Sequence, residues 1–248
     1  MVKKAAIFIL LLIPNLYNAQ IITPEQKEPE KKKKEQKTKE VKPIQKSGTE
    51  LYFGVNPAFT YRTLEQNEGI FGKPLGYRES EIGKWTTGFN AGVRTKLSKH
   101  IKLAIGIGYS SNRVHYDYTQ KDSIFRYTNT YRHISFPINV AYSYGEDISF
   151  YGGIGIIPKA FLSMKNETTT LDDFDNEETQ ENIIRDPYQF FLIDVAAQIG
   201  TQIKFSPHYG VFFMVEGRRQ LNNNFSKQGD FIRKPFAIGF NVGIEVYL

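Results

Sequence analysis

Eight segments in which apolar residues recur at every second position predict an all-β chain, an eight-stranded antiparallel up-and-down transmembrane β-barrel. Two further observations point the same way. Very short turns alternate with longer connections, as in small membrane barrels. The positions between the apolar residues collect charges and glycines together, which suits a crowded polar interior. Aromatic residues make up 14% of the 248 residues, which favours sheet over helix.

The chain opens with "MVKKAAIFILLLIPNLYNA", read as a signal peptide over residues 1–19. Lys3 and Lys4 precede an apolar run, Ala5 to Ile13, too short to cross a bilayer as a helix. Residues 20–49 are rich in Lys, Glu and Gln, have no aromatic residue and almost nothing apolar before Gly48. They cannot bury enough surface to offset their ordering entropy, so a disordered charged periplasmic linker is expected. Residues 50–248 form the expected barrel domain. There is no cysteine, which excludes disulfides, thiolate metal sites, cysteine nucleophiles and a lipidated N-terminal cysteine. The net charge of +6 is unevenly spread and no nucleic-acid-binding motif accompanies it, so no nucleic-acid partner is expected.

The first strand is "LYFGVNPAFTYR", with Leu51, Phe53, Val55, Phe59 and Tyr61 on one face. "WTTGFNAGVRTKL" and "IKLAIGIGYSS" follow, joined by only "SKH". The fourth and fifth, "HISFPINVAYSY" and "ISFYGGIGIIP", are joined by "GED". The sixth and seventh, "FFLIDVAAQIGTQIKF" and "YGVFFMVEGRRQL", are joined by "SPH". The eighth, "FAIGFNVGIEVYL", ends the sequence with Phe236, Ile238, Phe240, Val242, Ile244, Val246 and Leu248 in alternation. Turns of this kind rest on Gly, Asp, Ser and Pro. Longer connections join strands one and two, five and six, and seven and eight.

The alternation leaves two ways to face the strands. A soluble, lipocalin-like periplasmic binding barrel would turn the apolar face inward. Here the polar face mixes Arg94, Lys102, Asp194, Lys204, Glu216, Arg218 and Glu245 with many glycines, and Tyr or Trp marks several apolar strand ends, including Tyr61, Trp85, Tyr109 and Tyr209. That pattern predicts lipid outside, aromatic girdles at the interfaces and salt bridges across the lumen. An eight-stranded barrel is just filled by its own side chains, so a plugged barrel is expected rather than a general porin.

The stretch "YRHISFPINVAYSYGEDISFYGGIGI", Tyr131 to Ile156, and the preceding "LAIGIGYSS" resemble the PorT family and related outer-membrane β-barrel proteins. Asn241, Gly243, Val246 and Leu248 resemble the C-terminal signal of such barrels. The resemblance implies an outer-membrane location and insertion by the barrel assembly machinery. It also implies contact with outer-membrane lipids and lipopolysaccharide. Some relatives assist protein secretion, so a non-enzymatic structural or accessory role is expected, with a protein partner at the long loops or at the Lys-rich linker.

The other functional reading is a lipid-acting barrel enzyme. "SSNRVHYDY" spaces Ser111, Arg113, His115 and Asp117 by two residues on one face, with His133 further along. A polar wall rising toward the outer loops explains the same pattern, and fold alone implies no site. The acidic stretch "LDDFDNEETQE" offers Asp172, Asp173, Asp175, Glu177, Glu178 and Glu181 as cation ligands, but it lacks the glycine of an EF-hand loop and is read as a solvated acidic loop instead. No residue is assigned a catalytic, cofactor-binding or metal-ligating role, and no cofactor is expected.

Overall fold

A computed structural model describes residues 48–67, 74–120, 123–171, 176–226 and 229–248. The expected signal peptide and almost all of the linker lie outside the described residues. Among the described residues there are ten strands: β1 (Thr49–Gln66), β2 (Ile82–Lys96), β3 (Ile101–Gln120), β4 (Ser123–Ser135), β5 (Ile138–Gly145), β6 (Ile148–Leu171), β7 (Glu177–Ile184), β8 (Phe191–Lys204), β9 (Tyr209–Gln220) and β10 (Phe231–Tyr247). A short 3-10 helix, Gly76–Ser80, precedes β2.

Antiparallel pairing runs from β1 through β2 and β3 to β4 and β5, then through β6, β8, β9 and β10 back to β1. β4 and β5 occupy one place in that ring, so the barrel has eight staves. The segment expected as one fourth strand is divided at Phe136 and Pro137. Proline brings no N–H to the ladder. The gap is bridged by Phe136 N–H donating to Pro158 O (2.8 Å) and Gly106 N–H to Pro137 O (3.0 Å).

Closure explains why the sequence keeps its strict alternation to the last residue. β10 pairs with β1 from Glu50↔Tyr247 to Gln66↔Phe231, and Leu248 N–H donates to Thr49 O at 3.1 Å. In hydrocarbon an unpaired strand edge would leave every second amide unsatisfied.

The short turns cluster with Gly48 and Leu248 at one end. In two of them a serine hydroxyl accepts from the backbone two and three residues on: Ser98 from His100 and Ile101, and Ser206 from His208 and Tyr209. In the third, Gly145 takes φ 114°, a conformation that favours glycine. Small outer-membrane barrels place such turns in the periplasm.

Side-chain exposure decides the orientation. Ile154, Ile199 and Phe150 are 71%, 68% and 65% exposed, while Glu245, Arg233 and Arg94 are 0%, 1% and 7% exposed. The apolar face is outside and the charged face is inside, the inverse of a water-soluble barrel. The ten residue steps from Leu51 to Tyr61 on β1, at about 3.3 Å rise and a tilt of about 40°, give a belt about 25 Å tall. β6 is 24 residues long, far more than a crossing needs. Its outer half continues as a sheet with β3, β4 and β7. The acidic stretch expected as a loop is therefore partly a hairpin, with Glu177, Glu178 and Glu181 on β7. Asp172, Asp173 and Asp175 lie outside the described residues.

Candidate functional site

The lumen is the place where charge, burial and geometry converge. At its short-turn end, beneath a vestibule of about 650 Å³ lined by Glu50, Lys102 and Gln202, Arg94 binds two carboxylates, Glu50 at 2.9 Å and Glu245 at 2.5 Å. Lys102 reaches Glu50 at 3.3 Å and Gln202 Oε1 at 2.7 Å, and the Gln202 amide donates to Glu245 at 2.6 Å. Two cations and two carboxylates balance. The Arg94 guanidinium also lies over Tyr52, Phe212 and Tyr151, at 5.1, 5.5 and 5.6 Å from the ring centres. Tyr52 in turn lies across Gly92 and Gly106, where a Cβ would stand 2.7 and 2.4 Å from its hydroxyl. The glycines make room for the plug.

The middle of the lumen holds a second layer. Lys159 Nζ lies 2.6 Å from Asp194 and donates to Gln220 at 3.1 Å. Arg218 binds Glu216 at 3.1 Å and Asn56 at 2.8 Å. Voids of about 10 and 30 Å³ remain among these groups. That is room for a water or two, far from a channel.

An aromatic lid closes the other end. Val114, Tyr131, Phe161, Met164 and Leu192 form a buried cluster with Tyr188 against it. Two connections supply the rest. The Tyr188 and Phe225 rings meet at a tilt with centres 5.0 Å apart, Gln189 N–H donates to Asn224 O and Ser226 N–H to Pro187 O. Arg233 is wholly buried with its guanidinium 3.7 Å from the Tyr131 ring centre. Nearby, Arg62 and Tyr127 converge on buried Glu81, at 2.7 and 2.9 Å.

The expected lumen charges Arg94, Lys102, Asp194, Glu216, Arg218 and Glu245 are all inside; Lys204, at the vestibule, has its ammonium over the Tyr247 ring at 4.6 Å. Glu50, Glu81 and Lys159 complete the ion network, and Arg233 is held by the Tyr131 ring instead of a carboxylate; the sequence does not single out these four.

The candidate hydrolase set does not assemble. Ser111, Arg113, His115 and Asp117 share the outward face of β3, whereas His133 on β4 is buried in the lumen beside Phe161, 5.7 Å between rings. His115 Nε2 is 4.0 Å from Asp117, and its Nδ1 meets the Thr128 hydroxyl at 2.9 Å. Among the described residues no hydrogen bond links Ser111 Oγ to a histidine. Partial burial, with Lys84 nearby, holds the His115 pKa below the ordinary histidine value; Asp117 opposes this in part. Of the acidic residues on β7, Glu177 binds Arg126 at 3.3 Å and Glu181 binds Lys165 at 2.7 Å, so lysine and arginine meet these carboxylates. Lys165 holds the Glu181 pKa below the usual carboxylate value.

A family model for the outer membrane protein beta-barrel domain matches residues 34–226. The chain belongs to that family. It is an integral outer-membrane barrel. No curated protein sequence matches the chain. Similar solved structures include OprG from Pseudomonas aeruginosa, 9% identical with a TM-score of 0.48, covering 81% of this chain and 96% of that one. Neisserial surface protein A is 11% identical with a TM-score of 0.40, covering 82% and 98%. The N-terminal barrel of OprF from Pseudomonas aeruginosa is 10% identical with a TM-score of 0.37, covering 81% and 99%.

Proposed function

We propose that this family member is a non-conducting, non-enzymatic barrel that anchors a rigid sheet at the cell surface and offers it to a protein partner. One observation carries the reading: the lumen is filled by ion pairs and lidded by aromatics, while β3, β4, β6 and β7 continue as ordered sheet beyond the belt. β7 supports it further. It pairs with β6 along one edge and is exposed along its length, and among the described residues no strand pairs with its other edge. Such an edge receives an extended segment by strand addition. The resemblance to PorT-like proteins makes an accessory role in secretion the finer form of this proposal.

Two measurements test it on the full-length protein. Purified barrel in planar bilayers should show no large, steady conductance; a porin-like conductance refutes the sealed lumen. A photo-crosslinker at Thr179 or Gln180 on β7 should capture a protein in intact cells more efficiently than one at Tyr144 beside a short turn. Equal or absent capture at β7 refutes the docking edge.

A further inference from the structure

The outward face of the projecting sheet carries a pattern that the sealed lumen does not use. Tyr109 and Ile134 face each other across β3 and β4 near the top of the apolar belt. Continuing outward on the same face, Ser111 stands opposite Arg132, and Arg113 opposite Thr130. On the other flank of β4, Arg132 stands opposite Ser163 and Thr130 opposite Lys165. Two guanidiniums and an ammonium therefore ring one threonine just above the hydrocarbon edge. Ser111, Thr130 and Ser163 are buried between the longer arms although they face away from the lumen.

The charge of this patch is not closed from within. Lys165 is satisfied by Glu167 at 3.0 Å and Glu181 at 2.7 Å. Arg113 donates Nε–H to the Thr130 hydroxyl at 3.2 Å. Among the described residues no carboxylate lies within salt-bridge distance of Arg113 or Arg132. Higher on the same face, by contrast, Arg126 is held by Asp117 at 3.2 Å and Glu177 at 3.3 Å. Glu181 lies within electrostatic reach of Arg132 but pairs directly with Lys165, so among the described residues neither Arg113 nor Arg132 has a carboxylate of its own.

A guanidinium is a planar fork of donors that matches phosphate oxygens. A ligand seated here would keep its acyl chains against the belt below and its anionic group against the arginines. We propose that Arg113 and Arg132, flanked by the Ser111 and Ser163 hydroxyls, bind a phosphate of the phosphorylated glycolipid of the outer leaflet. The site follows from the barrel's orientation and is independent of the sealed-lumen reading. It would fix the tilt and rotation of the sheet relative to the membrane surface.

The test uses the full-length barrel in neutral detergent, with bisphosphorylated lipid A and its dephosphorylated counterpart carrying the same acyl chains. Lipid retained by the folded protein is read by native mass spectrometry. Wild type should retain the phosphorylated lipid about tenfold more strongly or better. Arg113→Gln/Arg132→Gln should reduce that to the level of the dephosphorylated lipid, and Arg126→Gln should change nothing. Equal retention of the two lipids by wild type overturns the proposal, and needs no variant to fold. Unchanged retention by the folded double variant, or equal loss in Arg126→Gln, overturns it as well. Displacement of the lipid by inorganic phosphate at matching concentration would overturn the lipid as the ligand and leave a simple anion site.

Discussion

Arg94→Met removes the one guanidinium that bridges Glu50 and Glu245. The two carboxylate side chains are 4% and 0% exposed. Lys102 then faces both acids alone, and the plug goes from neutral to one excess negative charge inside a barrel wrapped in lipid. Breaking a buried pair by deleting one partner costs about 3–5 kcal/mol, because the other charge stays buried. The lost ring contacts with Tyr52, Phe212 and Tyr151 add no more than about 1–2 kcal/mol, since methionine keeps most of the packing. Adding Glu245→Gln restores neutrality, leaving Glu50 with Lys102, and a glutamine oxygen can still accept from Gln202. The double variant should recover most of the loss. The assay is denaturant-dependent folding into lipid vesicles, followed by the gel shift between folded and unfolded barrel. A cost below about 1 kcal/mol for Arg94→Met, or a double variant as unstable as the single one, refutes the plug as a cooperative ion network.

Two other expectations follow from the same geometry. Gly106→Ala places a Cβ 2.4 Å from the Tyr52 hydroxyl and 2.7 Å from the Ala91 carbonyl, so it should destabilise by roughly 1–3 kcal/mol. Gly152→Ala, whose Cβ would meet only Gln198 O at 3.9 Å, should stay within about 0.5 kcal/mol of wild type in the same folding assay; equal effects refute the close-packed interior. His115 should titrate below the ordinary histidine value of 6.5 in an NMR pH series. Its protonation then opposes folding as pH falls below 6.5 and has no effect well above it; a midpoint at or above 6.5 contradicts the partial burial of the ring beside Lys84 and Arg126.

Legibility followed the solvent. Where one face of a strand meets hydrocarbon and the other a polar lumen, the period of two is enforced at every residue. The eight segments, their facing and lumen residues such as Arg94, Lys102 and Glu245 were therefore readable. The pattern fails where that contrast ends. β7, "EETQENII", stands in water on both faces and so shows no alternation. Leu162 is an extra residue between Phe161 and Ser163, where the β4–β6 register shifts, and it resets the parity of β6. Lys159 lies next to Pro158 and Arg233 two positions before Pro235, beyond the segments read as regular. Glu50 was within reach, because it continues the alternation of β1 by one step. The lid was not, since Tyr188 and Phe225 come from irregular connections whose contact depends on the closed ring.

Lipid surrounds the apolar face of the barrel. The chain's single tryptophan reports on it without mutation. Trp85 is 55% exposed on the outward face, packed edge-on against Phe59 near the upper rim of the belt. Protein folded into vesicles of brominated lipids should show Trp85 fluorescence quenched strongly by bromine near the headgroups and less by bromine at the bilayer centre, with little quenching by aqueous iodide. Fluorescence indifferent to brominated lipid and fully accessible to iodide would contradict the account.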